Sequence, residues 1–121
     1  MIKHVLLFIA CYTAVVKDPA KITPALLCNS CQAIVRETLK IVKKSKSEMQ
    51  IDAAVEKICS MKKMNIYDFP PPQMVMGCEH FMTNFTDTVI EVMMNRESND
   101  TVENSLCYEM TGICIEKGEE L

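Results

Sequence analysis

Histidine is almost absent from this chain: His4 and His80 are the only two in 121 residues. No serine or cysteine has a recognisable base beside it, and no motif sets two carboxylates together, so catalysis is not expected. A basic excess is missing as well. Thirteen lysines and arginines stand against sixteen acidic residues, a formal net charge of −3, which disfavours nucleic-acid binding. The apolar run at residues 5–11 is too short to span a bilayer, and no later run approaches that length. No segment alternates apolar and polar residues as a strand would, and there is neither an internal repeat nor a low-complexity tract. Cys28-Asn29-Ser30-Cys31 has no second Cys-x-x-Cys or Cys/His pair to complete a zinc site. Without alternating strands and helices, a thioredoxin-like redox role is equally poor. No metal or other cofactor is expected.

What the chain does have is cysteine, seven in all. Residues 1–14 read as a signal peptide, with Lys3 and His4 as a short basic start, then the apolar run, then small residues ending at Thr13 and Ala14. Removing it takes Cys11 away and leaves Cys28, Cys31, Cys59, Cys78, Cys107 and Cys114. An even set in a short exported chain is the pattern of a disulfide framework formed in an oxidising compartment. Two glycosylation sequons, at Asn84 and Asn99, agree with export.

Four segments carry helical periodicity. The first opens with Thr23 as N-cap and Pro24 at the first helical position, where a missing N–H costs nothing. Leu27, Cys31, Ile34, Val35, Thr38, Ile41 and Val42 form its stripe, with Arg36, Lys40, Lys43 and Lys44 opposite. The second opens with a capping box, Ser47 to Gln50, and presents Ile51, Ala54, Val55 and Ile58. Pro70, Pro71 and Pro72 then predict a rigid extended connector. A third helix is expected from about Gln73 to Arg96, with Cys78, Phe81, Met82, Phe85, Val89, Val92 and Met93 on one face and Asn84 opposite. In the fourth, Asp100 is the expected N-cap, Val102, Leu106, Met110 and Ile113 the stripe, and Gly112 the terminator.

Six cysteines allow fifteen connectivities, and spacing alone does not choose. Their placement on the helices suggests that Cys59 and Cys78 pin a helical hairpin. Two further bridges would join Cys28 and Cys31 to Cys107 and Cys114. A seven-residue step returns Cys114 to nearly the same helix face as Cys107. In this cysteine order on amphipathic helices, residues 27–115 resemble the saposin-like family. The resemblance implies one domain at residues 24–117: an all-α folded leaf of four to five amphipathic helices held by three disulfides. Its nested pairing, carried over, is Cys28–Cys114, Cys31–Cys107 and Cys59–Cys78. The chain departs from the family in a longer Cys59–Cys78 interval and in one extra residue between Cys107 and Cys114.

The function that the resemblance implies is lipid work in the secreted or lysosomal/vesicular lumen: binding lipids or perturbing membranes, with antimicrobial action among the expectations. Lipids or an anionic membrane surface are then the partners, with a homodimer possible. Val35, Leu39, Phe81, Phe85, Val89 and Met93 would be core when the leaf is closed and lipid-facing when it opens. Nine methionines outside the predicted leader suit a surface that repacks around acyl chains. Charge is divided along the chain. Residues 21–63 hold nine basic and four acidic residues, a net of +5; residues 64–121 hold two and eleven, a net of −9. Lys40, Lys43 and Lys44 are the candidate headgroup contacts. The alternative from another class is a lumenal protein-binding or folding-helper module. The terminal Gly118-Glu119-Glu120-Leu121 is faintly similar to a retrieval signal, but lacks its basic or histidine lead residue.

Overall fold

The computed structural model describes residues 22–115. The predicted signal peptide, Cys11 and the terminal residues 116–121 lie outside them. Helix α1, Pro24–Val42, begins as its residues dictate: the Thr23 hydroxyl accepts the Leu26 N–H at 3.1 Å, and Pro24 fills the first position. Helix α2, Glu48–Val55, is capped by Ser47, which accepts the Gln50 N–H at 3.4 Å. Only half of the expected capping box forms, because the Ser47 N–H is taken by the Ser45 hydroxyl at 3.2 Å. Ile58 is fully buried, yet it and Cys59 lie beyond the end of α2 in a run of turns rather than on its last turn.

Helix α3, Pro71–Asn95, corrects the extended-connector expectation. Pro71 and Pro72 sit inside its first turn, where backbone donors have no helical partners to lose. Only Pro70 remains outside, accepting the Met74 N–H at 3.0 Å through its carbonyl. The helix also breaks its geometry at Phe85 (φ −132°, ψ 19°). Around this point Thr83, Asn84 and Thr86 each bond through their side chains to the carbonyl four residues back. Such back-bonding competes with the helical ladder and bends it.

The last segment is not a plain α-helix. A 3₁₀ turn, Asn99–Thr101, follows Ser98 and leads into a π-helix, Asn104–Met110. Asp100 therefore lies within the turn rather than capping it, and Met110 is 56% exposed rather than part of a buried stripe. The wider π turns close through the Thr111 N–H to the Leu106 carbonyl, 3.1 Å. Gly112, at φ +65°, ends the segment, and the Cys114 N–H folds back to the Cys107 carbonyl at 2.9 Å. Cys114 is brought to Cys107 by this turn and not by a shared helix face.

Among the described residues there is no strand, and the fold is all-α with three disulfides. One core joins all elements: Leu26, Ile34, Ile51, Ile58, Met64, Met74, Phe81, Val89, Met93, Val102 and Leu106 are fully enclosed. Helices α1 and α3 lie side by side in the same direction. Near their N-termini Gly77 approaches Leu26 and Ser30 so closely that a Cβ would overlap the Ser30 hydroxyl. Near their C-termini the guanidinium of Arg96, 4% exposed, ties the two together. Its Nη2 donates to the carbonyls of Lys43 and Ser45 at 2.9 Å each, and its Nη1 to that of Met93 at 2.6 Å. Its Nε donates to Asn99 Oδ1 at 2.8 Å, and Asn99 Nδ2 donates to Lys43 O at 3.0 Å. Carbonyls at helix C-termini carry partial negative charge, so they hold a buried cation without a carboxylate. Lys43 itself is held at φ 55°, a left-handed conformation that a non-glycine side chain resists. Replacing Arg96 by alanine should lower stability in urea unfolding by about 2–3 kcal/mol, since charged hydrogen bonds are lost at buried acceptors. Lysine should recover only part of this, because one ammonium cannot span four separated acceptors.

Candidate functional site: an apolar seam fastened differently at its two ends

The bridges run Cys28–Cys114, Cys31–Cys107 and Cys59–Cys78, the nested order that the resemblance implies, with Cα separations of 4.9, 5.8 and 5.5 Å. Cys28 and Cys31 belong to the first turns of α1, and Cys78 to the first turns of α3, next to Gly77. All three bridges therefore lie towards the end where Gly77 meets Ser30, but none joins α1 to α3; there the two helices meet by close packing. At the other end of the α1–α3 pair the fastening is Arg96 and Asn99, by hydrogen bonds alone.

Between these ends lies the seam. Val35, Phe81, Val89 and Met93 are buried, and Leu39 and Phe85 are partly buried against the same core. All six candidate lipid-facing residues thus sit in or against one interior. Phe81 and Phe85 stack at a tilt, their ring centres 4.9 Å apart. Of the candidate headgroup contacts, Lys40, Lys43 and Lys44 are all exposed. Lys40 also pairs with Glu37 at 3.0 Å, and Lys43 serves the Arg96 fastening through its carbonyl rather than its ammonium.

The two sequons differ in setting. Asn84 is exposed on the outer side of α3, its Nδ2 turned to the His80 carbonyl at 2.9 Å. Asn99 is partly buried, and the amide nitrogen that would carry a glycan is the one that bonds Lys43. Among the described residues no helix is long and apolar enough to cross a membrane.

Two groups of residues escaped the sequence reading. Arg96 is one of only two basic residues in residues 64–121, an isolation that was the available signal. Glu37 gave none. It occupies the polar flank of α1, yet it is 3% exposed because Tyr67 lies over it. The Tyr67 hydroxyl donates to Glu37 Oε2 at 2.6 Å and so ties the segment between α2 and α3 to α1. Burial, and then the hydrogen bond to and the charge of Glu37, push the Tyr67 phenol well above its ordinary 10.0.

A raised phenol pKa means that the neutral form is favoured by folding. Its contribution is complete below about pH 10 and is lost as pH rises above that value. Urea unfolding across this range should show an alkaline loss of stability in the parent that Tyr67→Phe removes. At neutral pH the same substitution should cost about 1.5–3 kcal/mol, the usual worth of a hydrogen bond to a charged group.

The three disulfides form where the environment is oxidising, outside the reducing cytosol. Comparison with protein-family models, with curated proteins and with solved structures finds no match.

Proposed function

We propose that this chain is a lipid-interacting protein of the secretory pathway that opens along the α1–α3 seam. The observation that carries the reading is the unequal fastening. At one end disulfides anchor each helix separately, α1 to the last helical segment and α3 to the turns after α2, while at the other end hydrogen bonds from Arg96 and Asn99 join α1 to α3 directly. Parting the second end would bare Val35, Leu39, Phe81, Phe85, Val89 and Met93 without unfolding the chain. Lys40, Lys43 and Lys44, exposed near that end of α1, would meet anionic headgroups at about 1 kcal/mol each. The acidic half opposes such an approach near neutral pH. Its carboxylates, ordinarily titrating near pH 4, lose that opposition as the medium acidifies. Salt weakens what attraction remains by screening.

A second reading, a lumenal protein-binding or folding-helper module, is favoured by a different observation. Met49 and Ile66 stand 80% and 69% exposed in the closed form, available to a protein partner without any opening. Retention in the lumen would favour it, and secretion or lysosomal delivery the lipid reading.

Vesicle co-sedimentation near neutral pH and at about pH 4.5, with anionic and with neutral lipid, tests the proposal. Binding should rise with acid on anionic vesicles and fall with salt. Lys40→Glu/Lys43→Glu/Lys44→Glu should abolish the acid-dependent fraction, and Arg96→Ala, by loosening the seam, should increase binding at fixed pH. A triple variant that binds like the parent makes the lysine face an ordinary solvated face. An Arg96→Ala protein that binds no better sinks the opening step.

A further inference from the structure

Next to the Arg96 fastening, the surface carries two adjoining concavities. The larger, about 630 Å³, lies between the end of α3 and the last helical segment. Its walls include the carboxylates of Glu91, Glu97, Asp100 and Glu109, and the apolar side chains of Val92 and Met110 contribute to its lining. The smaller, about 400 Å³, is of mixed charge, with Lys44 and Lys46 as the charged residues that it does not share with the larger. Arg96, Glu97 and Asp100 line both, so the two share one wall. Within the described chain the ion pairs are Arg36–Glu103 and Lys40–Glu37. Lys44, Lys46, Glu91, Glu97, Asp100 and Glu109 have no ion-pair partner there. Glu109 accepts a hydrogen bond from Asn104 at 3.1 Å, and that neutral donor leaves its charge uncompensated.

We propose that this corner is the interface of a two-fold dimer of the chain, in which Lys44 and Lys46 of each copy enter the acidic groove of the other. A two-fold interface uses the same patch on both partners and therefore needs a self-complementary surface. Lys44 and Lys46 on one side of the shared wall and Glu91 and Glu109 on the other supply it: a half-turn about an axis through that wall sets each pair against its opposite. Both contacts then form in a single docking event, whereas an unrelated basic peptide would satisfy only the groove. The groove suits lysine in a further respect. The apolar stem of the side chain lies along Met110 and Val92 while its ammonium reaches the carboxylates. Unpaired charges of both signs that find partners only across the interface also fix its register and make it salt-dependent.

Sedimentation of the whole oxidised protein over a range of concentrations, in low and in high salt, tests this. Glu91, Glu109, Lys44 and Lys46 are all exposed, so reversing them leaves the core intact, and circular dichroism checks that it does. The parent should dimerise in low salt and dissociate in high salt. Glu91→Lys/Glu109→Lys and Lys44→Glu/Lys46→Glu should each weaken self-association by at least about tenfold, because like charges then face each other. Mixing the two variants should restore a mixed dimer, since each reversed surface now meets its complement. A parent that stays monomeric at every concentration overturns the proposal, including one that stays monomeric while binding a lysine-rich peptide. Variants that pair as the parent does, or a mixture that remains monomeric, overturn it equally.

Discussion

The structure depends first on the covalent tie between the start of α1 and the end of the last helical segment. Cys28–Cys114 and Cys31–Cys107 span 86 and 76 residues. On a loop-entropy account, closing one loop of that length stabilises by roughly 4–5 kcal/mol. The second adds much less, because the first leaves Cys31 and Cys107 only three and seven residues from an existing junction. Its effect is orientation. Two bridges fix the direction in which the final segment crosses α1, and one would leave it free to swivel. That orientation lets Leu106 and Val102 enter the core and sets Tyr108 within 3.5 Å of Gln32.

With one end so fixed, stability at the other becomes a local matter. Arg96 is a buried cation whose bonded partners are three backbone carbonyls and one amide oxygen. None of those four titrates near neutral or mildly acid pH. Acid therefore does not remove this fastening through its own acceptors. An acid response in membrane binding must arise from long-range charge, the waning repulsion of the acidic half, rather than from a protonated latch. Tyr67 over Glu37 is the contrasting case, a polar contact whose phenol sets an alkaline limit while its neutral form serves at ordinary pH.

The sequence revealed what is locally encoded. Thr23 and Pro24 marked the start of α1 because a hydroxyl acceptor and an imino acid at those positions act within one turn. The cysteines placed at helix starts and ends left few sensible pairings, and the resemblance supplied the nested one. Pro71 and Pro72 misled because proline is compatible both with an extended path and with a first helical turn, and packing of Met74 and Cys78 decides between them. The π-helix gave no local signal at all. It arises where Cys107 must face Cys31 while the chain still reaches Cys114, a demand set by residues some eighty positions away. Glu37 was illegible for a related reason, and the isolation of Arg96 in the acidic half marked it out without foretelling its burial. A charged residue on an amphipathic helix normally faces water, and only the arrival of a distant carbonyl or phenol makes its burial possible.

The two proposed uses of the surface are not independent. Lys44 belongs both to the candidate headgroup contacts and to the smaller concavity beside the proposed dimer axis. A copy paired through that corner has Lys44 inside its partner's groove and cannot offer it to a bilayer. The paired corner also covers the wall that carries Arg96, so pairing would hold the seam closed. Dimerisation and membrane binding then draw on one pool of monomer in opposite directions, and by mass action each weakens the other.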